Sequence, residues 1–321
     1  MIFKRPFFWI ILAIGALFIY MPRHGNNVPL REDLILVAVA IILASNLNLM
    51  IGYTGYVNFG HIVFYGLGGY IGLYLATVRN WNLFLSAIVA GVLVSLFALL
   101  FGLAILRLRG AYFALATIGI LEAVRAFVSN FDPWGRSSGM YLSFEMYQPL
   151  GGAMKALWIT YYVMIGVMTL SLLVSLFIKR SKFGLGLFAI REDEDAAVVL
   201  GVNTTVYKAI IFSISAFLPA VAGTLMFFKN AMIDPSVAFE FFLSLEGIVM
   251  LMLGGSGSVI GAALGAGMYE RLRSTLLTSE SLSNFHLVIA GALLLLVVLF
   301  APGGLIGWVY RLIPRSRDVL E

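Results

Sequence analysis

Leu83-Phe84-Leu85-Ser86-Ala87-Ile88-Val89-Ala90-Gly91-Val92-Leu93-Val94-Ser95-Leu96-Phe97-Ala98-Leu99-Leu100-Phe101-Gly102-Leu103-Ala104-Ile105-Leu106 runs without one charged side chain. A bilayer crossing needs about 20 apolar residues in helical form, because lipid offers no partner to an exposed backbone amide. The run meets that length, and Arg107 and Arg109 mark where it leaves the hydrocarbon. The rest of the chain has the same character: of 321 residues, 61% are hydrophobic and 12% are charged. A water-soluble domain carries about 25% charged residues and about half apolar ones. A soluble fold of this length could not cover so much apolar surface. A soluble enzyme, a nucleic-acid binder and a disordered scaffold are thereby excluded, and the chain reads as an integral membrane protein.

Working outward gives ten candidate segments: Phe7–Met21, Leu34–Ile51, Ile62–Val78, Leu83–Leu106, Ala111–Val128, Ala156–Ile178, Tyr207–Phe228, Leu243–Leu253, Val259–Tyr269 and His286–Phe300. The fold class expected is all-α and polytopic, one transmembrane domain over residues 1–321 with about ten membrane-embedded segments. The eighth and ninth are too short to cross as ordinary helices, so they read as broken helices or a re-entrant pair. Phe7–Met21 reads as a span and not a cleaved leader, since no A-x-A site follows it. Lys179, Arg180, Lys182, Arg191 and Lys208 gather around one connection, about 179–206, which the positive-inside rule assigns to the cytoplasm. Counting from there places Lys4, Arg5, Arg107, Arg109, Arg311, Arg315 and Arg317 inside with both termini, and Arg23 and Arg31 outside. Residues 129–155 form the largest outer loop, with a turn at Asp132-Pro133-Trp134-Gly135.

Cysteine is absent, and the three histidines (His24, His61, His286) share no ligand spacing. Neither a disulfide framework nor a metal centre is expected. The net charge of +5 fits basic loops facing anionic membrane lipid, not a nucleic acid.

Three segments interrupt the apolar pattern. In the first, Leu47–His61, the residues Asn48, Gly52, Gly55, Asn58, Gly60 and His61 sit between two spans. Irregular backbone at membrane depth is tolerated only in a protein interior or along a wet cavity, so this is either part of a translocation pathway or a cytoplasmic turn with a hydrated His61. The second, Leu253–Gly261, carries Gly254, Gly255 and Gly257. It lacks the G-x-x-x-x-G-K-[ST] of a phosphate loop and reads as an irregular turn between half-spans. In the third, the acidic start, alanines and glycine of Arg191–Gly201 suggest a short exposed helix, either a solvated loop or a docking knob. Gly68-x-x-x-Gly72 has the spacing of close helix packing. Glu122 and Arg125 lie three apart on the fifth span and read as a structural pair, and Glu246 reads as interfacial.

Together these segments resemble the permease subunits of branched-chain amino-acid ABC importers, specifically the LivM-like half, from about Leu34 to Gly307. The G-Y-x-G-x-x-x-x-G-H-x-x-F-x-G-x-G pattern is met by Gly52-Tyr53, Gly55, Gly60-His61, Phe64, Gly66 and Gly68. The cytoplasmic signature is met by Ser181, Gly184, Ala189 to Glu192, Glu194, Ala196, Ala197 and Gly201, followed by Lys208, Phe212, Ser213 and Ser215. Ser244, Glu246, Met250, Gly254, Gly255, Gly257, Ser258 and Gly261 match a third pattern, and Pro302-Gly303-Gly304-Leu305 a closing one. The sequence departs from the pattern at Tyr56 and Asn58, where glutamine and serine are common in amino-acid importers. The same family includes urea and short-amide importers.

The resemblance implies a transmembrane subunit of an importer fed by an extracytoplasmic solute-binding protein, in the bacterial inner membrane. Its partners would be a second homologous permease and cytoplasmic ATPase subunits, with membrane lipid around it. ATP and magnesium would be used by the ATPase, this chain binding no cofactor and catalysing no reaction. Asn48, Gly52, Gly55, Asn58, Gly60, His61, Gly254, Gly255 and Gly257 become candidates for the translocation pathway. Gly184, Arg191, Glu192, Glu194, Ala196, Ala197 and Gly201 become candidates for ATPase docking, with Arg191–Gly201 as the coupling helix. An ion-coupled secondary transporter would need free intramembrane carboxylates, and Glu122 beside Arg125 is a poor candidate. A membrane enzyme would need a cluster of acids or histidines, which the sequence does not offer.

Overall fold

The computed structural model describes residues 6–22, 27–277 and 303–307 and isolated positions between 288 and 299. Twelve helices are resolved among the described residues up to Leu277. They are α1 (Pro6–Tyr20), α2 (Val28–Thr54), α3 (Ile62–Thr77), α4 (Leu83–Ile105), α5 (Ala111–Asn130), α6 (Ala153–Lys179), α7 (Lys182–Glu192), α8 (Glu194–Val199), α9 (Thr204–Asn230), α10 (Pro235–Ala238), α11 (Phe241–Gly254) and α12 (Val259–Leu277). Two-residue strands β1 (Met140–Tyr141) and β2 (Met232–Ile233) pair antiparallel at one end of the bundle. Six segments are long and apolar enough to cross a membrane, one of them α10 and α11 taken together, and α1 and α3 are shorter apolar helices. Most of the tenth expected span, His286–Phe300, and the terminal basic residues that bear on orientation lie outside the described residues.

α2 and α9 form the centre. Each is 27 residues long, about 40 Å at 1.5 Å per residue. α3 and α4 pack on α9, α6 packs on α2 with α1 outside it, and the α11–α12 hairpin lies against α2. Neither central helix has a polar face, as expected for a helix enclosed on all sides. Asn46 of α2 is bonded inside the bundle: its Nδ2 donates to the Ile42 carbonyl at 2.8 Å and to Ser171 Oγ at 2.7 Å. The outer helices show the opposite pattern, with Leu85, Ile88, Val92, Leu96, Leu100 and Leu103 of α4 exposed. In water that row would be a liability, and in a bilayer it is the lipid face.

Small residues fix the α3–α9 contact. A Cβ on Gly68 would fall 2.2 Å from the Ala220 carbonyl oxygen, and one on Gly223 would fall 2.0 Å from that of Tyr65. Gly68-x-x-x-Gly72 is thus a packing motif, and Thr224 Oγ1 donates to the Gly68 carbonyl across it at 2.8 Å.

The structure moves several sequence-based boundaries. α2 continues to Thr54, so the irregular stretch shrinks to Gly55–His61. It stops there because Gly55 takes a left-handed conformation (φ +76°) and returns its N–H to the Ile51 carbonyl. α12 runs past the expected stop at Tyr269 to Leu277, because Glu270, Arg271 and Arg273 find ion-pair partners there. The expected outer loop 129–155 is ordered by 3-10 turns (Asp132–Trp134, Arg136–Ser138 and Phe144–Leu150) and by β1. The expected single helix over Arg191–Gly201 is two helices, because Asp193 is extended and its carboxylate caps α8 by accepting from Asp195 and Ala196 N–H. Glu122 and Arg125 pair at 3.8 Å on an exposed face of α5.

A methyl at Gly68 or Gly223 has nowhere to go, and overpacking of this kind costs about 1–3 kcal/mol or more. Gly223→Ala is expected to lower the unfolding midpoint of the purified protein in detergent. At Gly166, where a Cβ would meet nothing within 4 Å, Gly166→Ala is expected to leave that midpoint unchanged or raised.

Candidate functional site

At the end of the bundle away from β1 and β2, four elements converge on α7 and α8. The centre is Lys208, in the second turn of α9 and 1% exposed. A buried ammonium is tolerated only when paired and hydrogen-bonded. Here Nζ donates to Glu194 Oε1 at 2.7 Å and to the Tyr56 hydroxyl at 2.8 Å, and it lies 4.3 Å from the Tyr56 ring centre. The Tyr56 hydroxyl donates onward to Glu194 Oε2 at 2.5 Å. Arg109, in the α4–α5 turn, sits 3.8 Å from Glu194 Oε2 and donates to Asp195 Oδ1 at 2.9 Å. One carboxylate on α8 therefore ties together α9, the α2–α3 connection and the α4–α5 turn.

Burial alone would push the Glu194 carboxyl up, but the hydrogen bonds from Lys208 and Tyr56 outweigh it and hold it below its ordinary 4.5. Burial and the Glu194 carboxylate both push the Tyr56 phenol up, so it stays protonated and keeps donating.

A second attachment lies one turn earlier. Arg191 Nη1 donates to the Gly52 carbonyl at 2.6 Å, satisfying an orphan acceptor at the negative end of α2. On the other side of Gly52 lies the α11–α12 turn, which Asn48 holds like a peptide. Asn48 Nδ2 donates to the Ser258 carbonyl at 3.1 Å, and Oδ1 accepts from Gly257 N at 2.8 Å. A Cβ on Gly52 would fall 1.9 Å from Asn48 Oδ1 and 2.6 Å from Gly257 N. Gly254 is equally close to Gly261, and Gly255 (φ +111°) lies against Gly303.

The structure thus brings Asn48, Gly52, Gly254, Gly255 and Gly257 together, and Arg191 with them, as a tightly packed seam. Asn58, Gly60 and His61 lie apart from that seam. They belong to a short irregular segment that passes beside α5, where Phe59 N donates to Thr117 Oγ1 at 3.1 Å. His61 is buried, and neither ring nitrogen has a partner among the described residues.

Of the docking candidates, Gly184 packs on the Ile178 carbonyl, Ala197 is buried, and Glu192, Ala196 and Gly201 are exposed. Gly201 has φ +89°, and a Cβ there would meet nothing, so it serves the turn after α8. The sequence reading missed Tyr56 and Lys208 as members of this site. It also missed the tip itself, where Val198, Val199 and Leu200 are 52%, 87% and 79% exposed. Three successive apolar residues after an acidic cap were the available signal.

Removing one partner of a buried ion pair costs about 3–5 kcal/mol, because the other charge is stranded. Lys208→Met is expected to lower the denaturation midpoint accordingly, and adding Glu194→Gln is expected to recover most of the loss. A carboxyl held below its unfolded value stabilises fully above that value and loses its effect as pH falls through the lowered folded one. Wild-type stability should therefore decline as pH drops below 4.5, with a shallower decline in Glu194→Gln.

The profile of the family described as "Branched-chain amino acid transport system / permease component" matches residues 32–298. The high-affinity branched-chain amino acid transport system permease protein LivM of Salmonella typhimurium is 26% identical, covering 99% of this chain and 77% of that protein. LivM of Escherichia coli K12 is 27% identical with the same coverage. LivH of Salmonella typhimurium is 26% identical over 90% of this chain and 96% of that protein. No solved structure matches. The relatives are permease proteins, which makes this multi-pass chain a transport subunit and not an enzyme. With the match spanning most of its length, the chain belongs to the branched-chain amino acid transport system permease family.

Proposed function

We propose that this chain is one of two homologous permease subunits in an ATP-driven, binding-protein-dependent importer of branched-chain amino acids, in a bacterial cytoplasmic membrane. Its α7–α8 end faces the cytoplasm and α8 seats the ATPase. The observation that carries the reading is the pairing of an exposed apolar tip, Val198–Leu200, with a buried polar anchor, Lys208–Glu194–Tyr56, directly beneath it. An apolar patch outside the lipid-facing belt marks a protein contact. A rigid, hydrogen-bonded root lets movement of that contact reach α2, α5 and α9.

The basic residues Lys179, Arg180, Lys182 and Arg191 beside α8 support the cytoplasmic orientation, with both termini on that side. ATP and magnesium act on the partner ATPase, since this sequence has no phosphate loop. Asn48 and Gly52 act as a packed hinge beside the coupling helices, while Gly55 on a cleft of about 400 Å³ and Gly255 and Gly257 on one of about 350 Å³ are placed to line the pathway. Tyr56 departs from the pattern common in amino-acid importers, but its hydroxyl is committed to Glu194 and Lys208 and so says nothing of the solute.

ATP-dependent uptake of labelled leucine and urea, in vesicles holding this chain with its candidate permease, ATPase and binding-protein partners, tests the function. Leucine uptake that stops without ATP is expected. Urea uptake in its place would move the substrate, and uptake that persists without the ATPase would overturn the importer class. Leu200→Glu tests the docking surface. An exposed site shifts stability by only about 0.5 kcal/mol, so the variant should fold and reach the membrane. A charge desolvated in the contact should cut ATPase co-purification by about tenfold or more. Normal co-purification and uptake would contradict the assignment.

A further inference from the structure

At the end remote from α8, a cleft of about 180 Å³ opens between α2, α3, α9, α11 and α12. Most of its wall is apolar, including Val39, Leu43, Tyr65 and Met250, and Glu246, Glu270 and Arg273 stand together on it. The side chains of Glu246 and Glu270 are each only 7% exposed. Arg273 Nε lies 3.3 Å from Glu246 Oε1, and Nη1 lies 3.4 Å from Glu270 Oε1. Glu246 also engages Tyr269. The contact from Arg273 Nε is an ion pair without the alignment of a hydrogen bond, so this buried N–H is still short of an acceptor among the described residues.

Among the described residues, two buried carboxylates share one guanidinium, an arrangement in a largely apolar enclosure that a further cationic group would complete. The guanidinium keeps donor capacity for one more anion in its planar fork. A ligand that satisfies both requirements carries an ammonium and a carboxylate together. An apolar cavity of about 150 Å³ holds one benzene molecule, so this cleft accepts one small apolar group with its polar end at the charges.

We infer that the cleft is a solute-binding station for a zwitterionic α-amino acid. Arg273 takes the carboxylate, Glu270 takes the ammonium, and Val39, Leu43 and Met250 take an aliphatic side chain. Glu246, already held by Tyr269, positions the guanidinium. The inference rests on the amino-acid importer reading and places the solute about one helical turn beyond the Asn48–Gly255 seam, along α2 and α11.

The absence of native cysteine permits a direct test. Ala40 lines the cleft, and Ala40→Cys in the assembled transporter supplies one thiol on this chain. Its modification by a small methanethiosulfonate reagent is followed by mass spectrometry of the labelled peptide. L-leucine at ten times its half-saturating concentration is expected to slow labelling about tenfold. Leucinamide and 4-methylpentanoate, each with one of the two charges, are expected to protect far less. Arg273→Gln in the same background should raise the half-protecting leucine concentration about 10- to 100-fold, the range for loss of a charge-assisted hydrogen bond. If Arg273→Gln fails to assemble, Glu270→Gln provides the comparison and should weaken protection likewise. A thiol that never labels, or one that leucine leaves unprotected while ATP-driven leucine uptake is intact, would overturn the inference. Protection by another zwitterionic amino acid, with no leucine uptake in the wild type, would uphold the cleft and remove only the branched-chain reading.

Discussion

A single buried ammonium sets the terms for one end of this molecule. Lys208 is placed by α9 where water cannot reach it, so its charge must be met by protein groups. Glu194 meets it with a carboxylate, and Tyr56 with a hydroxyl and a ring face. Those two residues come from separate elements, the α2–α3 connection and α8. The α2–α3 connection and α8 are held where they are because leaving Lys208 unmatched would cost several kcal/mol. Arg109 then adds the α4–α5 turn through Glu194 and Asp195.

This arrangement gives α7 and α8 two different kinds of attachment. α8 is joined to the bundle by charge, and α7 is joined by the bond from Arg191 to the end of α2. Close glycine packing carries the α2 end into the α11–α12 turn, and interfaces packed that tightly shift as units. The α11 helix leads from that turn to Glu246, at the cleft toward the other end of the bundle. A rigid path of packed helices therefore links the surface proposed to meet the ATPase with the cleft proposed to hold the solute.

The sequence made the class of fold legible because lipid imposes a simple rule: apolar runs must be helices. It also marked the right glycines, since Gly52, Gly68, Gly254 and Gly255 are places where a side chain cannot fit. What it could not convey was the purpose of each. Asn48 and Gly52 look like pathway residues in a linear reading, because polar and flexible residues between spans suggest water. In three dimensions Asn48 bonds the α11–α12 turn and Gly52 lets that turn come close, contacts that no linear reading contains. Lys208 was visible only as a member of a pattern, for its partner Glu194 lies on another helix and Tyr56 is 152 positions away. Arg273 carries no such signal, because the apolar pattern of the ninth segment stops at Tyr269 and charges beyond it read as ordinary surface. Long-range pairing of this kind has no periodic signature.

The claim that the Lys208–Glu194 link carries motion, beyond merely holding the fold, is tested by replacing the pair with the neutral combination Lys208→Met/Glu194→Gln. ATP hydrolysed per leucine imported is the quantity to measure, in reconstituted vesicles with all partner subunits. The account predicts a transporter that assembles and hydrolyses ATP but imports far less leucine per ATP than the wild type. An unchanged ratio in the assembled variant would contradict it, and would reduce the buried pair to a structural brace.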